Sequence, residues 1–354
     1  MRNLKGKNIK VVEKFYIFII VALVFILAGV GFMIARGGMN IGLDFTGGVK
    51  LEVNFDTMDS ESEKIISKEI EKVVEDNGYN MVDAVQVSGT VFEARLDYTY
   101  NGEKIAKDDE TDFITGVQGD GENTGLKGKL ADALTALCEN NETLKKNNVT
   151  LADENGVTAY SVGATASSAL LQGAIIALCV AIVCMLIYII IRFTFASAIA
   201  AVCALCHDVL IMIALTAIFN VPVNSTFIAA VITIVGYSIN ATIIIFDRIR
   251  EDLKNPNLAE MTDAEIANGA IAKTLGRTIL TTITTLVMVV ALAVLSVSAI
   301  QDFILPIIFG LIAGAFSSVL LAPAVWTMLR KTEKKIKAKR DAKKGYQGAK
   351  KAAE

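Results

Sequence analysis

Six apolar runs divide this chain. A helix rises about 1.5 Å per residue, so a bilayer core about 30 Å thick calls for about 20 residues. The runs at 15–35, 168–191, 195–219, 225–246, 278–298 and 303–329 meet that length. Between the first and second runs the period changes. Val49–Phe55 alternates like a strand, and Glu61–Glu75 places Ile65, Ile66, Ile70, Val73 and Val74 at helical spacing. Ala84–Ser88 and Val91–Asp97 form a hairpin pattern around Gly89-Thr90. Residues 100–123 are polar and Gly-rich and read as a mobile loop. Leu126–Cys138 predicts a second helix, and either Val149–Leu151 or Thr158–Val162 a last strand.

The pattern predicts an α-helical polytopic membrane protein. Six transmembrane helices carry an α+β domain, 37–166, between helices 1 and 2. Its β-α-β-β-α-β order is the split βαβ, or ferredoxin-like, arrangement. The first run is longer than a signal-peptide h-region and no A-x-A-like site follows, so it reads as a retained helix at 15–36.

Composition agrees: 53% of the 354 residues are hydrophobic. The net charge of −3 hides an asymmetry. Residues 37–165 carry 25 Asp+Glu against 11 Lys+Arg, the lead before Phe15 five bases against one acid, and the tail after Leu329 11 bases against three acids. By the positive-inside rule the lead 1–14, the 247–277 loop and the tail 330–354 are expected in the cytoplasm and the acidic domain outside. The helices after that domain, within 167–329, then close an even number of crossings. The basic tail suits lipid headgroups or a translocon surface.

Polar groups inside apolar runs are the candidate functional residues, because hydrocarbon makes them costly. Asp208 is the deepest acid, about 20 Å into the third run at 1.5 Å per residue. His207, the only histidine, is expected to point about 100° away from it. The fourth run sets Gly236 and Asn240 on one face and ends in Asp247, Arg248, Arg250 and Glu251. The fifth opens with Arg277, followed by Thr281, Thr282, Thr284 and Thr285, whose hydroxyls order water or bond back to their own helix. Gly310-x-x-x-Gly314 fits close helix contact. Four of the five cysteines lie in apolar runs, and no metal site, cofactor or catalytic residue is expected. There is no Walker A pattern, so ATP use has no sequence basis.

Just after the first run stands Asn40-Ile41-Gly42-Leu43-Asp44-Phe45-Thr46-Gly47-Gly48. This G-x-D-F-x-G-G motif resembles the hallmark of the SecD/SecF family of protein-export membrane proteins. So do Ala204 through Val209, Val235 through Glu251 and Lys273 through Thr278. The resemblance covers nearly the whole chain and lies closest to the SecF side. It implies half of an RND-type bundle, a SecD-like partner, a SecYEG-type translocon, unfolded preprotein as cargo and drive by the proton-motive force. It also implies a bacterial or archaeal plasma membrane and no nucleic-acid partner. The motif residues Gly42, Asp44, Phe45, Gly47 and Gly48 are expected to form a hinge. One departure matters. The family usually reads N-D-T or N-D-S where this chain has Asn240-Ala241-Thr242, so the acid assigned to proton coupling is missing, while its partner arginine is matched by Arg277. The alternatives are an RND-type exporter half or an uncoupled scaffold of the translocon.

Overall fold

The computed structural model describes residues 11–88, 90–105, 110–119, 125–152, 156–295 and 298–336. Most of the basic lead and of the basic tail lie outside the described residues. Among the described residues six helices are long and apolar enough to cross a membrane: Val12–Ala35, Ala166–Arg192, Phe195–Ile218, Ser225–Leu253, Asp263–Leu295 and Asp302–Ile336. Their helical cores are α1 (Phe15–Ala35), α7 (Ala164–Arg192), α8 (Phe195–Ile218), α9 (Ser225–Leu253), α10 (Asp263–Leu295) and α11 (Ser298–Phe316). After α11 the last span passes through one π-helical turn, Ser317–Leu321.

The third, fourth and sixth spans bury 50%, 50% and 67% of their most apolar stretch, the first, second and fifth only 11%, 6% and 17%. The core is therefore α8, α9 and α11. Small residues make it possible: Ala196, Ala200, Ala201 and Ala204 are buried along α8, and Gly310 and Gly314 of α11 meet Ile234 and Ser238 of α9. Such contacts bring backbones together where lipid supplies no hydrophobic drive. The exposed apolar faces of α1, α7 and α10 are surfaces for lipid or other helices.

Three expected boundaries move. The fifth helix begins at Asp263, and α9 runs to Leu253, so the connection is 254–262 instead of 247–277. In the segment 263–277 Ile266, Ala267, Ala270 and Ile271 are buried while Glu265, Lys273 and Arg277 are exposed. The segment is opened by a capping box in which Thr262 N–H donates to Glu265 Oε2 at 2.8 Å and Glu265 N–H donates to Thr262 Oγ1 at 3.3 Å. Finally, the expected loop 100–123 holds β4 (Glu103–Lys104) and α4 (Glu110–Gln118), with Phe113 and Val117 buried; residues 106–109 and 120–123 of it are outside the described residues.

The outer domain runs α2 (Leu43–Thr46), β1 (Gly48–Asn54), α3 (Ser60–Asp76), β2 (Tyr79–Ser88), β3 (Val91–Tyr100), β4, α4, α5 (Gly125–Asn140), α6 (Glu142–Lys146) and β5 (Val157–Val162). The last strand is the second of the two candidates; Leu151 contributes only an isolated bridge to Phe55. The sheet order is β2-β3-β1-β5 with all neighbours antiparallel, compatible with the split βαβ arrangement. Alternation sorts its faces. Val49, Leu51, Val53, Phe92, Ala94 and Leu96 are buried in one core with Ile66, Ile70, Leu130 and Leu134 of the helices. Lys50, Glu52, Glu93 and Arg95 fall on the opposite face, in register as Lys50↔Arg95 and Glu52↔Glu93.

Candidate functional site

Among the described residues one acid lies at the centre of the bundle. Asp208 on α8 is 1% exposed. Its Oδ2 accepts hydrogen bonds from Ser238 on α9 and from Ser317 Oγ at 2.8 Å, and its Oδ1 lies 2.9 Å from His207 Nδ1. Ser238 and Ser317 are both fully buried. A buried carboxylate is tolerated when hydrogen bonds replace its water, and here three side chains from three helices supply them. Ser317 reaches the carboxylate from the π-helical turn, a local insertion frequent at functional sites. Gly314, one turn earlier, leaves room for Ser238 at 3.1 Å from where a side chain would start.

His207 does not point away. The 100° step separates the Cβ directions of neighbouring helical residues, but rotation about the side-chain bonds brings the imidazole back onto the Asp208 carboxylate. The ring stacks on Phe316 at 5.7 Å between centroids, and its Nε2 is buried without a partner among the described residues. The carboxylate and the imidazole are thus held in direct hydrogen-bond contact inside the bundle.

The other span residues are elsewhere. Asn240 and Arg277 are exposed on α9 and α10. Gly236 is exposed too, with nothing within 4 Å of where its side chain would begin. Ala241 is 9% exposed, turned toward the bundle interior. The threonines follow the bland expectation: Thr281, Thr282, Thr284 and Thr285 donate to carbonyls of their own helix, Thr281 to Arg277 at 2.9 Å.

The charged end of α9 forms a knot. Asp247 meets Arg250 at 2.8 Å and Arg192 at 3.8 Å, and Arg248 meets Glu251 at 2.7 Å. Its centre is a residue the motif reading missed. Asp252 is 3% exposed and accepts from Lys273 of α10 at 2.7 Å, with Arg248 at 3.4 Å. Asn268 was also missed. Its carbonyl accepts the Val11 and Val12 N–H groups at 3.1 Å, and its amide donates to Glu13.

The glycine motif is clamped rather than free. Gly42 N–H donates to Val223 O at 2.8 Å, Val223 N–H to Asn40 O at 2.8 Å, and Ile41 bridges Val223 in parallel. A side chain at Gly42 would begin 2.9 Å from Asn224 Cβ, so only glycine permits this approach. Asp44 accepts the Ser225 N–H at 2.9 Å and the Ser225 hydroxyl. Gly47 and Gly48 then take φ of 73° and 139°, where side chains are strained, and turn the chain into β1. Phe45 is half-buried within α2. These contacts tie the expected hinge, at the entrance of the domain, to the start of α9.

A family model described as protein export membrane protein SecD/SecF, C-terminal, matches residues 142–332. Protein translocase subunit SecF of Thermodesulfovibrio yellowstonii is 30% identical over 94% of this chain and 98% of that protein. The chain belongs to the SecD/SecF family. A second SecF, from Borreliella burgdorferi, is 42% identical over 146 residues, 41% of this chain and 48% of its own length. The match there spans about half of the relative. SecDF of Thermus thermophilus, described as a translocon-associated membrane protein, has a similar fold, with TM-score 0.69 at 24% identity over 94% of this chain and 40% of the larger one. This SecD/SecF-family chain is thus a multi-pass membrane protein of a bacterial protein-export family. Among the described residues no His/Cys/Asp/Glu group is arranged for a metal ion.

Proposed function

We propose that this chain is the SecF-type accessory subunit of a Sec protein translocase, non-catalytic itself, working with a SecD-like subunit beside a SecYEG-type translocon. In this reading it sits in a bacterial plasma membrane with both termini in the cytoplasm. Unfolded preprotein is handled on the outer side by the 37–166 domain, and the proton-motive force drives the cycle. A transmembrane field supplies about 2.3 kcal/mol per elementary charge per 100 mV. The exposed stripe of Gly236, Asn240 and Asp247 on α9, together with the exposed Arg277 of α10, is the face offered to the SecD-like subunit.

The observation that carries the coupling part is the Asp208 cluster. Ala241 removes the acid that the family places on α9, yet Asp208 keeps a buried carboxylate bonded at once to α9 and to the π-helical turn of the last span. A proton arriving or leaving there changes which of Ser238, Ser317 and His207 are satisfied, and so biases the packing of the three core helices. The start of α9 is held by Asp44, so a shift of α9 moves the entrance of the outer domain.

The test is Asp208→Asn, close in shape but fixed in charge, in membrane vesicles carrying the SecD-like subunit and translocon. Gradient-stimulated translocation is expected to fall to the level without a gradient while assembly persists. Full stimulation in D208N would reduce Asp208 to a helix anchor and favour the scaffold reading, which Ala241 also favours.

A further inference from the structure

The open face of the sheet stands over the outer end of the bundle, and a cleft of about 200 Å³ lies between them. Its sheet wall carries Lys50, Glu93 and Arg95; its bundle wall carries Asp44, Asn224 and Asp302. The cleft shares no residue with the Asp208 cluster.

The charges on the two walls are incompletely matched. Glu93 is shared by both cations, at 2.9 Å from Lys50 and 3.7 Å from Arg95. Arg95 is only 12% exposed, and its Nη1 is buried without a hydrogen-bond partner among the described residues. On the facing wall Asp302 accepts one bond, from Asn224 Nδ2 at 3.2 Å, and no ion pair joins it to Lys50 or Arg95 among the described residues. A buried guanidinium N–H without a partner costs free energy. The gap is thus lined by the Arg95 and Lys50 cations on one side and by the Asp302 carboxylate on the other.

The position limits what can fill it. Asn224 lies in the turn between the third and fourth spans, Asp302 begins the sixth, and Asp44 follows the first. All three mark the same end of the bundle, where hydrocarbon gives way to headgroups. Leu43 and Pro222 add apolar surface to the lining.

We propose that this cleft binds a phosphate ester bearing a primary ammonium, the headgroup chemistry of phosphatidylethanolamine, with the phosphate on Arg95 and Lys50 and the ammonium on Asp302. The bidentate match between guanidinium and phosphate oxygens sets the first half of the preference. The second half comes from N–H donation to Asp302, which a quaternary choline lacks. A phosphatidylglycerol headgroup lacks the cation altogether. The bound lipid bridges sheet and bundle and stiffens the junction that the Asp44 clamp begins.

The full chain in phosphatidylcholine nanodiscs, titrated with phosphatidylethanolamine or phosphatidylglycerol, provides the test, with retained lipid read by native mass spectrometry. Phosphatidylethanolamine is expected to be retained over both others. Arg95→Gln and Asp302→Asn are each expected to weaken it about tenfold, the loss of one charge-assisted contact. Lys64→Gln, on the exposed side of α3, leaves it unchanged. Lys50→Gln, which keeps Arg95 in place, gives an independent reading with a smaller loss. Displacement by soluble phosphoethanolamine supports recognition of the free headgroup, while retention of lipid against it assigns the site to the membrane. Equal retention of the three lipids overturns the proposal, as does undiminished binding in both R95Q and D302N, or displacement by a zwitterionic peptide without phosphate.

Discussion

Asp44 caps a helix that begins 181 residues later: its Oδ2 accepts the backbone N–H of Ser225 at 2.9 Å together with the Ser225 hydroxyl. The first N–H groups of a helix have no partner within it, and negative charge is favoured beside them. Asn224 serves the same end from its own position, accepting from Phe227 N–H at 3.0 Å. Two caps from two segments meet at the helix that also carries Ser238.

Removing the remote cap should therefore loosen the junction without unfolding the bundle. Asp44→Ala is expected to cost about 1 kcal/mol, the usual worth of an N-terminal cap. Hydrogen exchange at 225–228 and in α2 should accelerate while exchange in α8 does not. Unchanged exchange at those amides would show that Asn224 alone holds the end.

The Asp208 cluster predicts that its two serines act through one shared acceptor. Ser317→Ala and Ser238→Ala each leave a buried carboxylate short of one donor, at about 1–3 kcal/mol. The double variant should cost less than the sum in an Asp208→Asn background, because the shared acceptor is then neutral. Additive losses in both backgrounds, measured by thermal unfolding of the chain in one detergent, would mean the serines act independently of Asp208.

Much of this architecture is written in period and length. The apolar runs and the alternation at 48–54 and 91–97 act locally, through hydrophobic matching to lipid and to one sheet face. Legibility fails where a partner is distant in sequence. Nothing near Ser238 or Ser317 distinguishes a ligand of Asp208 from an ordinary membrane serine, and the π-helical turn that aims Ser317 has no composition signal. The extension of α10 to Asp263 was readable, because Thr262-Asp263-Ala264-Glu265 is a capping-box sequence; the hydropathy window obscured it. Asp252 was readable as an acid but not as buried, since burial depends on Lys273 of the next helix.

Asp252 should behave as the keystone of the charged end of α9. Asp252→Ala strips two cations of their shared acceptor, and Asp247→Ala removes only exposed contacts. Exposed pairs contribute about 0–1 kcal/mol, so D247A is expected near neutral in unfolding and D252A clearly destabilising. Equal effects would contradict the burial difference.

The outer domain carries its own acid sensitivity. Asp59 caps α3, accepting from the Ser62 hydroxyl, from Glu61 N–H at 3.3 Å and from Asn147 Nδ2 at 3.0 Å. The Ser62 hydrogen bond, ahead of the others, holds its pKa below the ordinary 3.8. A carboxylate with a lowered folded value contributes stability that is present above the unfolded value and lost as pH falls through the folded one. Protection from exchange at the start of α3, relative to the intrinsic rate at each pH, should therefore fall below about pH 4, and Asp59→Asn should flatten that dependence. A D59N profile parallel to the parent would assign the acid response to other carboxylates.

Two glycines on facing helices separate packing inside the chain from packing against a partner. At Gly310 a new side chain would begin 2.5 Å from Ile234 Cγ1, whereas at Gly236 it would meet nothing within 4 Å. Overfilling a packed contact costs about 1–3 kcal/mol, so Gly310→Val is expected to lower the unfolding temperature of the isolated chain and Gly236→Val to leave it unchanged. If the exposed stripe of Gly236, Asn240 and Asp247 is the face offered to the SecD-like subunit, Gly236→Val should still weaken co-purification of the two subunits. The same variant thus gives opposite readings in the two assays. A G236V chain that is stable and also assembles normally would move the subunit contact to another face of the bundle.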